Sequence, residues 1–340
     1  MCTLLGETAP TAEEWHAQGL EKYGVIAVLK GDERDAAQVE KVSHATAVEM
    51  LQSLGDIGQV GPSLGSFSVS AAMLQALCDE FAEELVGKTA KLDTDPHFWM
   101  PMTLSSKDYA SLMKQKGIDG AVSVAHHERM TAMKDKFDFG NMGLFGAVDV
   151  GSEACWWDYG QVKLYSKNNF CLLEDGHDAV LLRKFFGIED RKSNSVLDGV
   201  IVDEMSCVFG SIIKSGNISS SAIAAVESPH VEADGAIIVN CTATKIVAGK
   251  GAILYNLIDT SDEGIVAAPG EVIVAVLDES GDSMLLKSRM DIDGGTAWKQ
   301  KLEMNEMSFE DVHTKNKDAN IAAIEKIRKE HYAKAVASFQ

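Results

Sequence analysis

Apolar and polar positions follow two different textures along this chain, and the change falls near residue 195. Before it, short β-branched runs are interleaved with amphipathic ones, as in a mixed α/β domain. Residues 23–29 (YGVIAVL) end on Lys30-Gly31-Asp32 and read as a strand entering a turn, with 38–42 (QVEKV) returning beside it as a hairpin. Glycines and prolines punctuate 55–65, after which 66–69 (SFSV) reads as a short strand and Ser70 as a helix cap. Leu74, Leu77, Cys78, Phe81 and Leu85 recur at helical spacing opposite Asp79, Glu80, Glu83 and Glu84, so that stripe is expected to face the core. Helices are expected over 105–116 and 124–136, a buried strand over 143–150 (GLFGAVDV), and a further helix over 162–167.

Beyond 195, β-branched runs follow one another with no helix between them: VLDGVIV, CVFGSII, AIAAV, GAIIV, KIVA, GAILYNL and EVIVAVL. Gly, Ser, Asn and Asp separate them, and no connection is long enough for a crossover helix. The pattern predicts a parallel β-helix over 193–296, each coil covering the face its neighbour exposes. Ile201, Cys207 and Ile213 keep a step of six, as do Ala225, Val231, Ile237 and Ala243, with a phase slip between the sets; a β-sandwich is the alternative. Residues 297–340 are a polar extension. Within it 320–339 is a charged helix with an apolar stripe at Ile321, Ile324, Ile327, Tyr332, Ala335 and Phe339, expected to pack back on its own domain, with dimerisation as the other use.

Charge narrows the partners. The 340 residues hold 51 Asp+Glu against 31 Lys+Arg, a formal charge of −20 that repels nucleic acid and anionic membrane. Small molecules or proteins are the expected partners, and an anionic ligand is admitted where a local cation or divalent metal reverses the sign. No apolar run reaches the roughly 18 residues of a membrane span, and residues 1–10 lack a secretory signal, so a cytoplasmic location is expected. The six cysteines form no C-x-x-C pair, which fits reduced thiols better than a disulfide framework or a zinc knuckle.

Four segments carry candidate chemistry. In Trp156-Trp157-Asp158-Tyr159-Gly160-Gln161 a carboxylate walled by aromatics follows an expected strand, which suits a ligand or divalent-ion site; the structural alternative buries the indoles and makes Asp158 a cap for the helix near Gln161. Glu40 and Lys41 are neighbours on a strand and point to opposite faces, so one of them can line a cleft, as an acceptor for sugar hydroxyls or a donor to phosphate, or both can sit on a solvated edge. Residues 93–102 (DTDPHFWMPM) hold two prolines and read as a rigid loop, with Asp95 and His97 as an acid–base pair only if they face each other. His126-His127-Glu128 lacks the spacing of a zinc helix and reads as solvated helix surface. Neither a phosphate loop of the G-x-x-x-x-G-K-[ST] type, a G-x-S-x-G elbow nor a G-x-G-x-x-G fingerprint occurs.

Taken in order, GVIAVLKGD, QVEKVSH, LGSFSVSAAMLQAL, DPHFWMPMTL, GLFGAVDVGSEACWWDYGQVKLY and a helix-free β region make residues 20–290 resemble the second half of a sugar-phosphate nucleotidyltransferase, nearest to the UDP-sugar pyrophosphorylase group. The W-x-D-x-G pattern of Trp156, Asp158 and Gly160 is its most specific element. The resemblance implies an α/β fold: a partial Rossmann-like nucleotidyltransferase domain over 1–192 holding the sugar-binding half, then a parallel β-helix and a C-terminal helix. It implies a reaction in which a nucleoside triphosphate such as UTP and a sugar 1-phosphate give a UDP-sugar and pyrophosphate with Mg2+. By the same likeness Asp158 is a Mg2+-binding and catalytic residue and Lys41 a catalytic lysine near the sugar phosphate. Glu40, Lys41, Gly65, Ser66, Trp157 and Gly160 are then grouped around the substrate. The sequence departs from the family in lacking the G-G-x-G-T-R triphosphate segment and an upstream metal-binding aspartate, and in carrying Gln161 where bacterial relatives usually have threonine. Two expectations follow: an incomplete chain or separate subunit, plastid-targeted if a transit peptide preceded it, or a non-catalytic binding or regulatory descendant. The partner is correspondingly a complementary nucleotide-binding subunit or a second copy of the chain.

Overall fold

A computed structural model of the protein describes residues 10–17, 20–30, 36–40, 42–87, 98–137, 144–151 and 154–339. It divides into two compact units, Met1–Trp156 and Trp157–Gln340.

The first unit opens with α1 (Ala12–Ala17) and a three-stranded antiparallel sheet in the order β2 (Ala36–Glu40), β1 (Gly24–Leu29), β3 (Ile57–Pro62). The expected hairpin is therefore present, with Gly24 opposite Glu40 and Ile26 opposite Gln38. The third strand lies within the Gly/Pro-punctuated stretch, and residues 66–69 carry no strand, because the pairing edge of β1 is already taken by β3. Successive residues of β1 serve opposite faces. Val25 and Ala27 enter a core with Val39, Val60, Leu51 of α2 (His44–Ser53) and Leu112, whereas Ile26 and Val28 pack with Ala36 and Ala147 on the other side.

Helices α3 (Ala71–Glu80), α4 (Ala82–Val86), α5 (Met100–Thr103), α6 (Ser106–Gln115) and α7 (Gly120–Lys134) complete the unit. The expected cap Ser70 accepts an orphan backbone N–H at the start of α3, and Ser43, Ser105 and Asp119 do the same for α2, α6 and α7; α2 was not expected, and α7 begins four residues before the expected 124. The face of α3 is rotated from expectation: Met73 and Phe81 are buried, while Leu74, Cys78 and Leu85 are exposed. Arg129 of α7 sets that rotation by binding the Glu80 and Glu84 carboxylates at 2.7 and 2.8 Å and the Glu80 carbonyl at 2.8 Å. Of the expected strand over 143–150, the described residues 144–150 form no buried strand; Gly146, Val148 and Asp149 are exposed.

In the second unit α8 (Val162–Cys171) and α9 (His177–Phe185) precede a parallel β-solenoid of five coils, which excludes the sandwich alternative. Cys207, Ala222, Ile237, Ile253 and Val272 stack in register, fifteen or sixteen residues apart and then nineteen. The repeat is thus a coil of about fifteen, not a hexapeptide, and Ile201 of the step-of-six set is 72% exposed. Val208, Ile223, Ile238, Leu254 and Ile273 point into the solenoid, while their neighbours Cys207, Ala222, Ile237, Ile253 and Val272 point out against Leu172, Leu173 and Leu182 of the helical layer. Burial on both faces explains why these strands read as continuous apolar runs. Two corners per coil use left-handed backbone: Gly210, Ala225, Asn240 and Asn256 at one, Ser220, Gly235, Gly251 and Gly270 at the other. Residues 271–277 pair antiparallel with 283–289, followed by α10 (Gly294–Ala297), α11 (Phe309–Asn316) and α12 (Ile321–Ala337). α12 packs back on the solenoid, as expected, but through Ala335, Arg328 and Tyr332 rather than the full stripe; Ile321 is 73% exposed.

Candidate functional site

The second face of β1 is the floor of a cavity of about 450 Å³ in the first unit. Gly24, Ile26, Ala36 and Gln38 come from the hairpin, and the walls are aromatic. On one side Tyr23 meets Trp156 edge-on, centroids 5.0 Å apart; on the other Trp99 contacts Phe67 at 5.1 Å and Phe145 at 4.8 Å. Ser63, Ser66, Ser68 and the Gln38 amide supply polar atoms. None of the described lining residues is charged. Phe67 and Trp156 are 55% and 41% exposed, so large rings stand at the mouth in contact with water. The chain reaches the cavity through Ser63, whose N–H donates to the Gly24 carbonyl at 2.8 Å and whose Oγ accepts the Gly65 N–H at 3.3 Å. Gly65 has φ +69°, a left-handed turn that a side chain disfavours, and this turn brings Ser66 to the cavity wall.

Of the residues singled out by sequence, Gly65 and Ser66 line this cavity. Glu40 is described only as the last backbone position of β2, opposite Gly24; its side chain, Lys41, Asp95 and His97 lie outside the described residues. The two indoles part company. Trp156 belongs to the cavity, whereas Trp157 packs on the helical layer of the second unit near Phe185, centroids 6.3 Å apart.

Asp158 begins the second unit and is half-buried. Its Oδ1 accepts the Gly160 N–H at 2.6 Å, and a Cβ at Gly160 would stand 3.0 Å from that oxygen. The spacing D-x-G is therefore that of an Asx turn, with glycine where the carboxylate folds back. Asn168 donates to the Asp158 carbonyl at 2.7 Å, and Gln161, without a capping side-chain bond, starts α8. No group of three His, Cys, Asp or Glu side chains that could hold Mg2+ comes together among the described residues. Asp158 thus offers one carboxylate, enough only for an ion whose other ligands are phosphates and water. His126 and His127 are half-buried rather than solvated: His126 packs beside Phe81 and Tyr109, and His127 Nε2 lies 2.9 Å from the Leu104 carbonyl.

The cavity walls were missed at the sequence level because Tyr23, Phe67, Trp99 and Phe145 are far apart in the chain. Their one signal was an adjacent Gly or Ser at Tyr23, Phe67 and Phe145, which Trp99 lacks. Among the described residues no helix is long and apolar enough to cross a membrane. Comparison with known proteins found no matching family model, curated protein or solved structure.

Proposed function

We propose that the first unit binds the sugar of a hexose 1-phosphate or nucleotide sugar, and that the chain works in nucleotide-sugar formation as a nucleotidyltransferase. The observation that carries this reading is the aromatic-walled cavity over the hairpin, whose described lining residues carry no charge. Sugars present apolar C–H faces that stack on aromatic rings and hydroxyls that pair with amides and serines, and the lining offers both kinds of surface. In this reading the antiparallel hairpin sheet is the sugar-binding half of a Rossmann-like domain, with Glu40 and Lys41 taking the sugar-hydroxyl and sugar-phosphate roles that the family resemblance implies. Asp158, in the second unit, would hold Mg2+ through its one carboxylate, and Mg2+ would supply charge neutralisation at the phosphates, so catalysis stands apart from sugar binding.

Titration of the full chain, followed by tryptophan fluorescence, with glucose 1-phosphate and UDP-glucose tests the first claim. Saturable quenching is expected, and no response to either ligand overturns it. Release of pyrophosphate from UTP and glucose 1-phosphate with Mg2+ tests the second, with Asp158→Asn abolishing turnover while sugar binding persists. Binding without turnover favours the non-catalytic descendant.

A further inference from the structure

α12 crosses the stacked corners of the solenoid at Asn240 and Asn256. There Arg328, half-buried, donates Nη2 to the Asn240 carbonyl at 3.0 Å and Nη1 to the Asn256 carbonyl at 3.3 Å. A guanidinium carries five N–H donors, and two neutral carbonyls use only two of them. Burial also weakens its hold on its proton. Arg328 and Lys329 line a cleft of about 470 Å³ between α12 and the sheet, with Ile212, 42% exposed, and the Tyr332 ring as its apolar surface. One carboxylate of the cleft, Glu227, is committed to the Tyr332 hydroxyl; the other, Glu325, lies on the helix wall.

We infer that this cleft is a binding site for a small organic monocarboxylate, its head on Arg328 and Lys329 and its tail along Ile212 and Tyr332. A guanidinium matches the two oxygens of a carboxylate in a planar, bidentate pair. Two lining glutamates and a net charge of −20 favour a single negative charge over the double charge of phosphate. A half-buried cation facing a cleft of ligand size is the usual form of such a site.

Calorimetry on the full chain at constant ionic strength, with acetate, butyrate and inorganic phosphate as probes, tests it. Butyrate is expected to bind saturably, several-fold tighter than acetate and than phosphate. Arg328→Lys should weaken butyrate at least tenfold. Lys329→Gln, which leaves the corner bonds of Arg328 in place, should weaken it two- to threefold. Glu325→Gln should tighten it by a similar factor, a change of sign that loss of folding cannot produce. Absence of saturable butyrate binding, phosphate binding as tightly as butyrate, or no gain with Glu325→Gln overturns the assignment.

Discussion

Ser221 Oγ accepts the backbone N–H of Ala236, fifteen residues on and one coil further, at 3.0 Å, and donates its own proton to the Ser219 carbonyl at 2.7 Å. The relation repeats: Ser206 Oγ takes the Ser221 N–H and Ser211 Oγ takes the Val226 N–H, each at 3.1 Å. Ser206, Ser211 and Ser221 are fully buried, so these hydroxyls supply at the corners the backbone partners that the short strands cannot. Ser221→Ala leaves the buried Ala236 N–H without a partner, while the Ser219 carbonyl keeps the Gly235 N–H at 2.9 Å, and should cost about 1–3 kcal/mol. Urea unfolding followed at the solenoid transition measures it, with exposed Ser283→Ala as a control expected within about 0.5 kcal/mol.

The corner ladder makes a second, opposite prediction. Ala225 has φ +52°, stacked in line with Gly210, Asn240 and Asn256, residue types that tolerate that conformation. An L side chain there costs about 1–2 kcal/mol, and glycine returns part of this through the entropy of the unfolded chain, about 0.4–1 kcal/mol. Ala225→Gly should therefore raise stability by roughly 0.5–1 kcal/mol, and Ala225→Val should lower it. A melting temperature unchanged by both substitutions would contradict the strain.

The solenoid was legible because its signals are local. Small residues at corners and doubly buried apolar runs such as GAIIV leave their mark within a few positions, although the fifteen-residue period was hidden by outward-facing Ile201 and by the long last coil. The face of α3 was not legible. Leu74 and Met73 are equally apolar, and only the distant pairing of Arg129 with Glu80 and Glu84 decides which of them is buried. The same holds for the cavity: Gly65 and Ser66 were named only through the family resemblance, and the rings of Tyr23, Phe67 and Phe145 converge only through the hairpin register and the wall formed by 144–148.

Arg129 also carries a prediction of its own. It holds α3 and α4 with three bonds from one planar group, and its guanidinium carbon stands 5.9 Å from the centre of the Phe81 ring. Lysine cannot reproduce that fork. Arg129→Lys should lower stability by about 0.5–1.5 kcal/mol, at the modest end because the pair is partly exposed, and should speed amide exchange across Ala82–Val86 severalfold. Exchange unchanged in α4 would mean that Phe81 alone fixes the helix.

Among the described lining residues of the cavity, Gln38 is the one with a side-chain amide, half-buried on β2 opposite Ile26. Gln38→Leu keeps the volume and the strand and removes the hydrogen-bonding groups. If a sugar occupies the site, its affinity should fall about tenfold, equivalent to about 1.4 kcal/mol, while Trp99→Ala should abolish stacking and weaken binding further. Equal affinity in wild type and Gln38→Leu would exclude the cavity as a site for hydroxyl recognition.

Acid should loosen the end of the solenoid first. Asp278, 6% exposed, accepts the Lys315 ammonium at 2.7 Å and the Ser280 hydroxyl, and these hold its carboxyl far below the usual carboxylate range. A carboxyl whose folded value is depressed gives stability that is complete above its unfolded value, about 4, and is lost as the pH falls through the folded value. The same contact raises Lys315, whose share is present below its unfolded value, about 10.4, and is lost only as the pH rises beyond it. Between about pH 5 and 10 the pair is therefore silent, and below about pH 4 stability should decline with a slope that Asp278→Asn removes. Thermal melts from pH 2 to 7 on both proteins measure this: the variant starts lower at pH 7, and the two curves converge toward pH 2. Parallel curves would mean that the Asp278 carboxyl titrates identically in the folded and unfolded chain.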